Sequence, residues 1–106
     1  MAEWTLICPE SELELNWGEV ALVNGHQYAI VKTKHGTFAY DHKDPNSGAL
    51  VMARGIVGEK DGTATIASPL YKEVYRLDNG ENVSGAEFTL PVYPLEIREG
   101  SVYLQV

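Results

Sequence analysis

The sequence predicts an all-β fold, an antiparallel β-sandwich or small barrel with at most one short helical turn. Turn signals recur at short spacing, and each ends in glycine, which adopts positive φ at little energetic cost. The runs between the turns are short and rich in Val, Ile, Tyr, Thr and Phe. Many short strands at such spacing are typical of sandwiches and small barrels. The turn signals are Asn24-Gly25, Lys34-His35-Gly36, Lys60-Asp61-Gly62, Asp78-Asn79-Gly80 and Glu99-Gly100.

The short apolar runs between these turns are predicted as strands, and helix signals are weak. The best helical candidate is a single turn over residues 10–15, directly after Pro9. No stretch of about 11 residues carries an apolar stripe at helical spacing without glycine or proline. The predicted strands cover residues 5–8, 19–23, 27–33, 37–40, 63–67, 74–77, 91–98 and 102–105.

The last two runs predict a hairpin with one buried side. Tyr93, Leu95 and Ile97 fall on one face of the first run, and Val102 and Leu104 fall on one face of the second. Such alternation across a two-residue link is the pattern of a β-hairpin that presents a single face to the core.

The composition indicates an acidic, cytoplasmic protein in which residues 1–106 form a single domain. Acidic residues outnumber basic ones by 15 to 8, so the surface should repel phosphate backbones and anionic lipid. No apolar run reaches the roughly 20 residues of a transmembrane helix, and the first residues lack the pattern of a signal peptide. The single cysteine, Cys8, excludes an intramolecular disulfide and a thiolate cluster site.

Two segments interrupt the strand pattern, and we expect the functional residues to lie there. Residues 41–54 and 68–73 each follow a predicted strand, and each carries a proline among polar neighbours. Loops held on a rigid β scaffold are where binding residues usually occur.

Catalytic and metal-binding patterns in and near these segments are weak. Asp41, His42 and Asp44 have irregular spacing with no second histidine or cysteine nearby. Turn-forming roles are therefore favoured over a metal site or a small hydrolase. Cys8 has no basic neighbour in sequence to lower its pKa, so we expect it to pack as a small apolar side chain. Ser68 lacks the Gly-x-Ser-x-Gly environment of a nucleophile elbow.

The order of residues in the two segments resembles that of a Rieske domain. In the iron–sulfur Rieske pattern the first loop reads Cys-Pro-His. The second loop reads Cys-Pro-x-His-Gly and is followed by an aromatic residue and a hairpin that ends in glycine. The matching residues here are Phe38-Ala-Tyr, Asp44-Pro45-Asn46, Arg54-Gly55, Gly62, Ile66-Ala-Ser68-Pro69-Leu70-Tyr71 and Tyr75-Arg-Leu-Asp-Asn-Gly80.

The resemblance implies a Rieske fold in which the cluster ligands have been replaced. Asp44 and Asn46 stand at the first Cys and His positions, Ser68 and Tyr71 stand at the second pair, and Lys72 replaces the glycine. A Rieske centre needs two thiolates on one iron and two imidazoles on the other, which these groups do not supply. We therefore expect no metal and no cofactor in this chain.

A Rieske fold without ligands resembles the small subunit of the assimilatory, cytoplasmic NAD(P)H-dependent nitrite reductase. The resemblance covers nearly the whole chain and implies an accessory role. The large subunit of that family would carry FAD, a [4Fe–4S] cluster and sirohaem, and would reduce nitrite to ammonium. The small subunit would bind it and support its activity, with no catalytic residue of its own. The motifs are Trp4-Thr-Leu-Ile-Cys8, residues 18–22 and 27–30, Asp44-Pro45, Arg54-Gly55 and residues 67–70.

Without a metal, we expect side-chain hydrogen bonds to hold the two loops together. Asp and Asn before turns bond their own backbone, and the hydroxyls of Ser68 and Tyr71 can bond across the loops. Pro45, Pro69, Leu70 and Tyr71 are candidates for docking the large subunit, as an apolar anchor with a polar rim. The alternative is that Leu70 and Tyr71 fold back into the core.

The sequence leaves two other functions open besides the hydrolase. One is a free-standing Rieske-like binding or scaffold module unrelated to nitrite. The other is a true electron carrier, against which the missing ligands already argue.

Overall fold

Ten short strands form the described part of the fold, joined largely by glycine-containing turns. The computed structural model describes residues 3–70, 72–85 and 87–106. The strands are β1 (Trp4–Pro9), β2 (Gly18–Val23), β3 (His26–Thr33), β4 (Gly36–Asp41), β5 (Ile56–Lys60), β6 (Thr63–Ala67), β7 (Val74–Arg76), β8 (Val92–Tyr93), β9 (Leu95–Arg98) and β10 (Ser101–Gln105).

The strands form three antiparallel sheets, and the prediction of an all-β antiparallel fold is confirmed. A four-stranded sheet has the order β2-β3-β4-β8. One three-stranded sheet has the order β1-β10-β9, and the other has the order β5-β6-β7. The part of the chain that is described contains no helix long and apolar enough to cross a lipid bilayer.

Strand β3 shows how the sheets are layered, because it is buried on both faces. Ala29 and Val31 belong to a core cluster that also contains Tyr40 and Tyr75. Ile30, between them in sequence, points the other way into a second cluster with residues of β10. Side chains alternate along a strand, so the four-stranded sheet is covered by one three-stranded sheet on each face.

The predicted C-terminal hairpin forms from β9 and β10, but its predicted buried face is only partly confirmed, because Ile97 is 37% exposed and Tyr93 lies in β8 of another sheet. β9 and β10 pair antiparallel, with Arg98 opposite Ser101, and the link is Glu99-Gly100. Both link residues have positive φ, at 49° and 80°, as a two-residue turn of this kind requires. Val102 and Leu104 are fully buried, which makes their shared face the core side.

Three features of the fold differ from the strands and turns expected from sequence. The sequence does not predict β5, because Gly58 and the exposed Glu59 and Lys60 interrupt its apolar pattern. The run over residues 91–98 divides at a proline, which has no N–H to donate, into β8 and β9 of different sheets. Residues 3–70, 72–85 and 87–106 also contain two 3₁₀ turns, the expected one at Glu10–Glu12 and a second, unexpected one at Met52–Arg54.

Candidate functional site

The first loop, residues 42–51, is folded tightly around the buried side chain of Asp44. The Asp44 carboxylate accepts a hydrogen bond from the backbone N–H of Asn46 at 2.9 Å. The backbone of Asp44 accepts from the N–H of Gly48 and donates to the carbonyl of Ala49, both at 2.8 Å. This is the local turn chemistry expected of an Asp-Pro sequence, and it fixes the conformation of the loop from within.

The second loop, residues 68–73, is organised in the same way around Ser68, which is 1% exposed. The N–H of Ser68 donates to the carbonyl of Glu73, and the N–H of Lys72 donates to the carbonyl of Ser68. Lys72 has a φ of 59°, in the left-handed region that glycine adopts most easily. Glycine, which the Rieske pattern has at this position, would adopt that conformation with less strain than lysine.

Two side-chain hydrogen bonds join the loops. The Ser68 hydroxyl donates to the Asp44 carboxylate at 2.7 Å, and both groups are buried. On the exposed side, the amide of Asn46 donates to the Glu73 carboxylate at 3.3 Å. The structure therefore contains bonding between the loops of the kind expected from sequence, and it places Asp44, Asn46 and Ser68 together.

Glu73 is a member of this cluster that the sequence analysis did not single out. Its second carboxylate oxygen accepts a hydrogen bond from the hydroxyl of Tyr75 at 2.9 Å. Burial raises the pKa of Tyr75, and the bond to Glu73 raises it further, so the phenol stays a donor. A glutamate in an acidic chain gives no distinct signal, and its role follows only from the loop geometry.

Three of the predicted docking residues are described, and they differ in exposure. Pro69 and Leu70 are exposed at the tip of the second loop, with Leu70 half exposed at 50%. Pro45 is half buried in the first loop. Leu70 does not fold back into the core, whereas Tyr71 lies outside the described residues.

The donor groups between the loops do not fit a [2Fe–2S] cluster. Asp44 and Ser68 are bonded to each other at 2.7 Å, and Asn46 supplies an amide. These are oxygen and amide groups, whereas the cluster needs two thiolates and two imidazoles. Cys8 lies on β1, in a different sheet from the strands that carry the loops. Within the described ranges, no group of three His, Cys, Asp or Glu side chains is placed to hold a metal ion.

Asp41 and His42, the residues of the hydrolase alternative, are committed to structural hydrogen bonds. The Asp41 carboxylate pairs with the ring of His26 at 2.7 Å. The Nδ1 atom of His42 accepts a hydrogen bond from the N–H of Ala53 at 3.0 Å. The ring therefore connects the first loop to the second 3₁₀ turn.

His42 is expected to make stability depend on pH. Burial lowers the pKa of its imidazole, and the Arg54 guanidinium lowers it further, so the folded state favours the neutral ring. The unfolded chain binds the proton more readily, near the ordinary pKa of about 6.5. The contribution of the neutral ring to the free energy of unfolding is therefore present above about pH 6.5 and is lost as pH falls towards the pKa of the folded state.

An NMR titration of the His42 ring checks this prediction, and a midpoint below about 6.5 is the expected result. His42→Gln should also flatten the fall in unfolding free energy between about pH 7.5 and pH 5.5. A ring that titrates above the ordinary value would contradict the prediction.

Cys8 is poorly suited to nucleophilic catalysis. Burial raises the pKa of its thiol, and the carboxylates of Glu12 and Glu19 raise it further. Its partly buried side chain packs against the second core cluster, as expected of a small apolar group.

Arg54 holds the junction between β2 and the second 3₁₀ turn. Its guanidinium donates to the carbonyl of Gly18 at 3.3 Å and lies 4.9 Å over the ring of Trp17. A Cβ atom at Gly18 would lie 2.2 Å from the carbonyl oxygen of Ala53, so only glycine fits this contact. The sequence analysis names Arg54 and Gly18 only as parts of family motifs.

Comparisons with known proteins agree with this geometry. The pattern of the Rieske-like [2Fe-2S] domain family matches residues 3–105. The nitrite reductase (NADH) small subunit of Salmonella typhimurium is 33% identical over 107 aligned residues, covering 99% of each chain. A Mycobacterium tuberculosis crystal structure described as an NADH-dependent nitrite reductase small subunit superimposes with a TM-score of 0.91. It is 34% identical, and the match covers 98% of this chain and 95% of that one.

One relative is a much longer polypeptide. The nitrite reductase [NAD(P)H] large subunit of Klebsiella oxytoca is 30% identical over 101 residues, which cover 95% of this chain and 11% of that protein. The same type of domain therefore occurs both as a separate chain and within a large subunit. With its fold, its loops and these matches, the chain belongs to the nitrite reductase small-subunit family, and its domain is of the Rieske-like [2Fe-2S] type.

Proposed function

We propose that this protein is the accessory small subunit of an NAD(P)H-dependent nitrite reductase and binds a large subunit that performs the chemistry. The observation that carries the proposal is the Klebsiella oxytoca large subunit, which contains a region similar to 95% of this chain. A domain joined covalently to its partner in one protein is expected to contact that partner when the two are separate chains, since the tether only raises the effective concentration.

In this proposal the chain carries no cluster and no catalytic residue of its own. From the family resemblance we expect sirohaem, a [4Fe–4S] cluster and FAD on the large subunit, which would take electrons from NAD(P)H and reduce nitrite to ammonium. The Asp44–Ser68 hydrogen bond supports a structural role for the loops, because it joins the two segments that a cluster would otherwise connect. Dependence on a nicotinamide nucleotide argues for the cytoplasm as the site of action.

Co-purification and activity measurements test the proposal directly. The purified large subunit of the same organism should retain this chain on an affinity column, and its NAD(P)H-dependent nitrite reduction should rise when the chain is added. If the two neither associate nor affect each other, the free-standing Rieske-like module would be the better interpretation.

The tip of the second loop is the proposed contact with the large subunit. The docking residues expected from sequence are Pro69, Leu70 and Tyr71 in this loop and Pro45 in the first loop, and Pro69 and Leu70 are exposed to a partner. A few apolar side chains surrounded by polar groups usually dominate the free energy of association. The exposed Asn46–Glu73 pair supplies such polar groups beside the tip.

Leu70→Asp is expected to weaken binding to the large subunit by about tenfold, because it places a charge where an apolar side chain is desolvated. Since Leu70 is half exposed, the variant should unfold at nearly the wild-type temperature. Ile56→Asp, at a residue 72% exposed on β5, is the matched control and should bind normally. Titration with the large subunit measures the affinity of each variant, and calorimetry measures its unfolding temperature. Wild-type affinity in Leu70→Asp would exclude the tip from the interface.

A further inference from the structure

An open groove of about 860 Å³ lies between β1 and β2, away from the loops. Both strands are outermost in their sheets, so each has one edge without a neighbouring strand. In the described part of the chain, the backbone of residues 19–23 bonds only to β3. An edge of this length is a template on which an extended segment can add a further strand.

β2 lacks the features that usually protect an edge strand. Its six residues contain one charged side chain, Glu19, and no proline. Val20 is 43% exposed and Leu22 is 70% exposed on one face, while Ala21 faces the second core cluster on the other. A strand added beside β2 would cover both faces at once, because its side chains would alternate in the same way.

The charges around the groove indicate the chemistry of the segment that fits it. Glu12, Glu14 and Glu19 line the groove, and its described lining contains no Lys, Arg or His. The negative charges of Glu12 and Glu19 are felt inside the groove, because both carboxylates raise the pKa of the Cys8 thiol that lines it. Basic side chains on the incoming segment would complement them.

A second copy of this chain does not fit as well. Each copy carries a net charge of −7, and pairing β2 with β2 would bring both sets of groove carboxylates together. Like charges across an interface oppose association.

We propose that this groove receives an extended segment of the large subunit, added as a strand beside β2, with apolar side chains at alternate positions and Lys or Arg among them. The inference rests on the proposed function for the identity of the partner. It adds a second contact to that of the loop tip, because no groove residue belongs to either loop.

The test uses the purified large subunit as the probe and two variants matched in exposure. Leu22→Arg should weaken binding at least about tenfold, since it removes an apolar contact and adds a charge that repels a basic segment. Ile56→Arg changes a residue of similar exposure outside the groove, at 72% against 70%, and should bind as the wild type does. Thermal unfolding checks that both variants remain folded.

Two further measurements examine charge and location. Glu12→Gln combined with Glu19→Gln should reduce the salt dependence of binding, while Asp61→Asn combined with Glu87→Gln, outside the groove, should not. Alkylation of Cys8, followed by mass spectrometry of this chain, should slow at least about fivefold when the large subunit is bound, because the added strand covers the groove.

The outcomes separate the inference from the proposed function. If the wild type binds but Leu22→Arg binds equally well, the groove is not the contact, although the accessory role stands. Equal losses of affinity for the large subunit in Leu22→Arg and Ile56→Arg would also overturn the assignment of the groove. If the wild type does not bind at all, both proposals fail. Self-association that Leu22→Arg abolishes would place a second copy in the groove and overturn the assignment to the large subunit.

Discussion

Asp44→Ala is expected to lower the melting temperature by about 12 °C or more, corresponding to about 3 kcal/mol of unfolding free energy. Asp44 is fully buried, and its carboxylate accepts hydrogen bonds from the Ser68 hydroxyl and the Asn46 N–H. Truncation leaves both donors without their partner, and a buried donor that loses its acceptor bears its full desolvation cost. Differential scanning calorimetry of the isolated protein measures the change.

A matched control separates this interaction from the general cost of altering the loop. Ser47 is exposed in the same loop, and its hydroxyl accepts a bond from the N–H of Ala49. Ser47→Ala should shift the melting temperature by less than about 3 °C, because water can replace that bond. The melting temperature of Asp44→Asn should lie between those of Asp44→Ala and the wild type, since an amide oxygen can still accept one of the two hydrogen bonds. If Asp44→Ala matches Ser47→Ala, the loops are not held by the buried carboxylate.

The consequence for function is that the loops should be ordered before the partner arrives. A loop that is already fixed loses little conformational entropy on docking, whereas a loose one bears that cost at the interface. Asp44→Ala should therefore also weaken binding to the large subunit, although Asp44 itself is buried and touches no partner. The loss of affinity should be smaller at low temperature, where the variant remains folded.

The two loops could be predicted from sequence because their chemistry is local. Asp-Pro and Ser-Pro sequences after strands favour turns, and the structure places Asp44 and Ser68 at the start of such turns. Their mutual hydrogen bond could be expected because an ordered set of motifs placed both residues at matching positions of a Rieske fold. Neither residue signals this bond by itself.

Other parts of the site depend on contacts distant in sequence and could not be predicted. Glu73 becomes a hydrogen-bond acceptor only because the fold brings Asn46 and Tyr75 to it. The groove between β1 and β2 requires knowledge of which strands lie at sheet edges. The missed strand β5 is exposed along most of its length, so its residues are not selected for an apolar pattern.

Gly80→Ala is expected to lower the free energy of unfolding by about 3 to 5 kcal/mol, more than any other substitution that adds one methyl group in the region after β7. Gly80 has a φ of 78°, and a Cβ atom there would lie 1.8 Å from the backbone oxygen of Leu90. That contact is with backbone, so no side chain can rotate away. Gly80 also donates its N–H to the carbonyl of Arg76 and accepts from the N–H of Leu90, which fixes its position from both sides.

Gly25→Ala isolates the contribution of this close approach. Gly25 has nearly the same backbone conformation, with a φ of 82°, but beyond its two chain neighbours no atom of the described residues lies within 4 Å of the position that a Cβ atom would take there. Its substitution should therefore cost only the left-handed strain, about 1 to 2 kcal/mol. The difference between the two variants measures how firmly Leu90, which is fully buried, holds the turn that follows β7. Equal melting temperatures for the two variants would contradict this prediction, because they would show that the turn shifts to relieve the contact with Leu90.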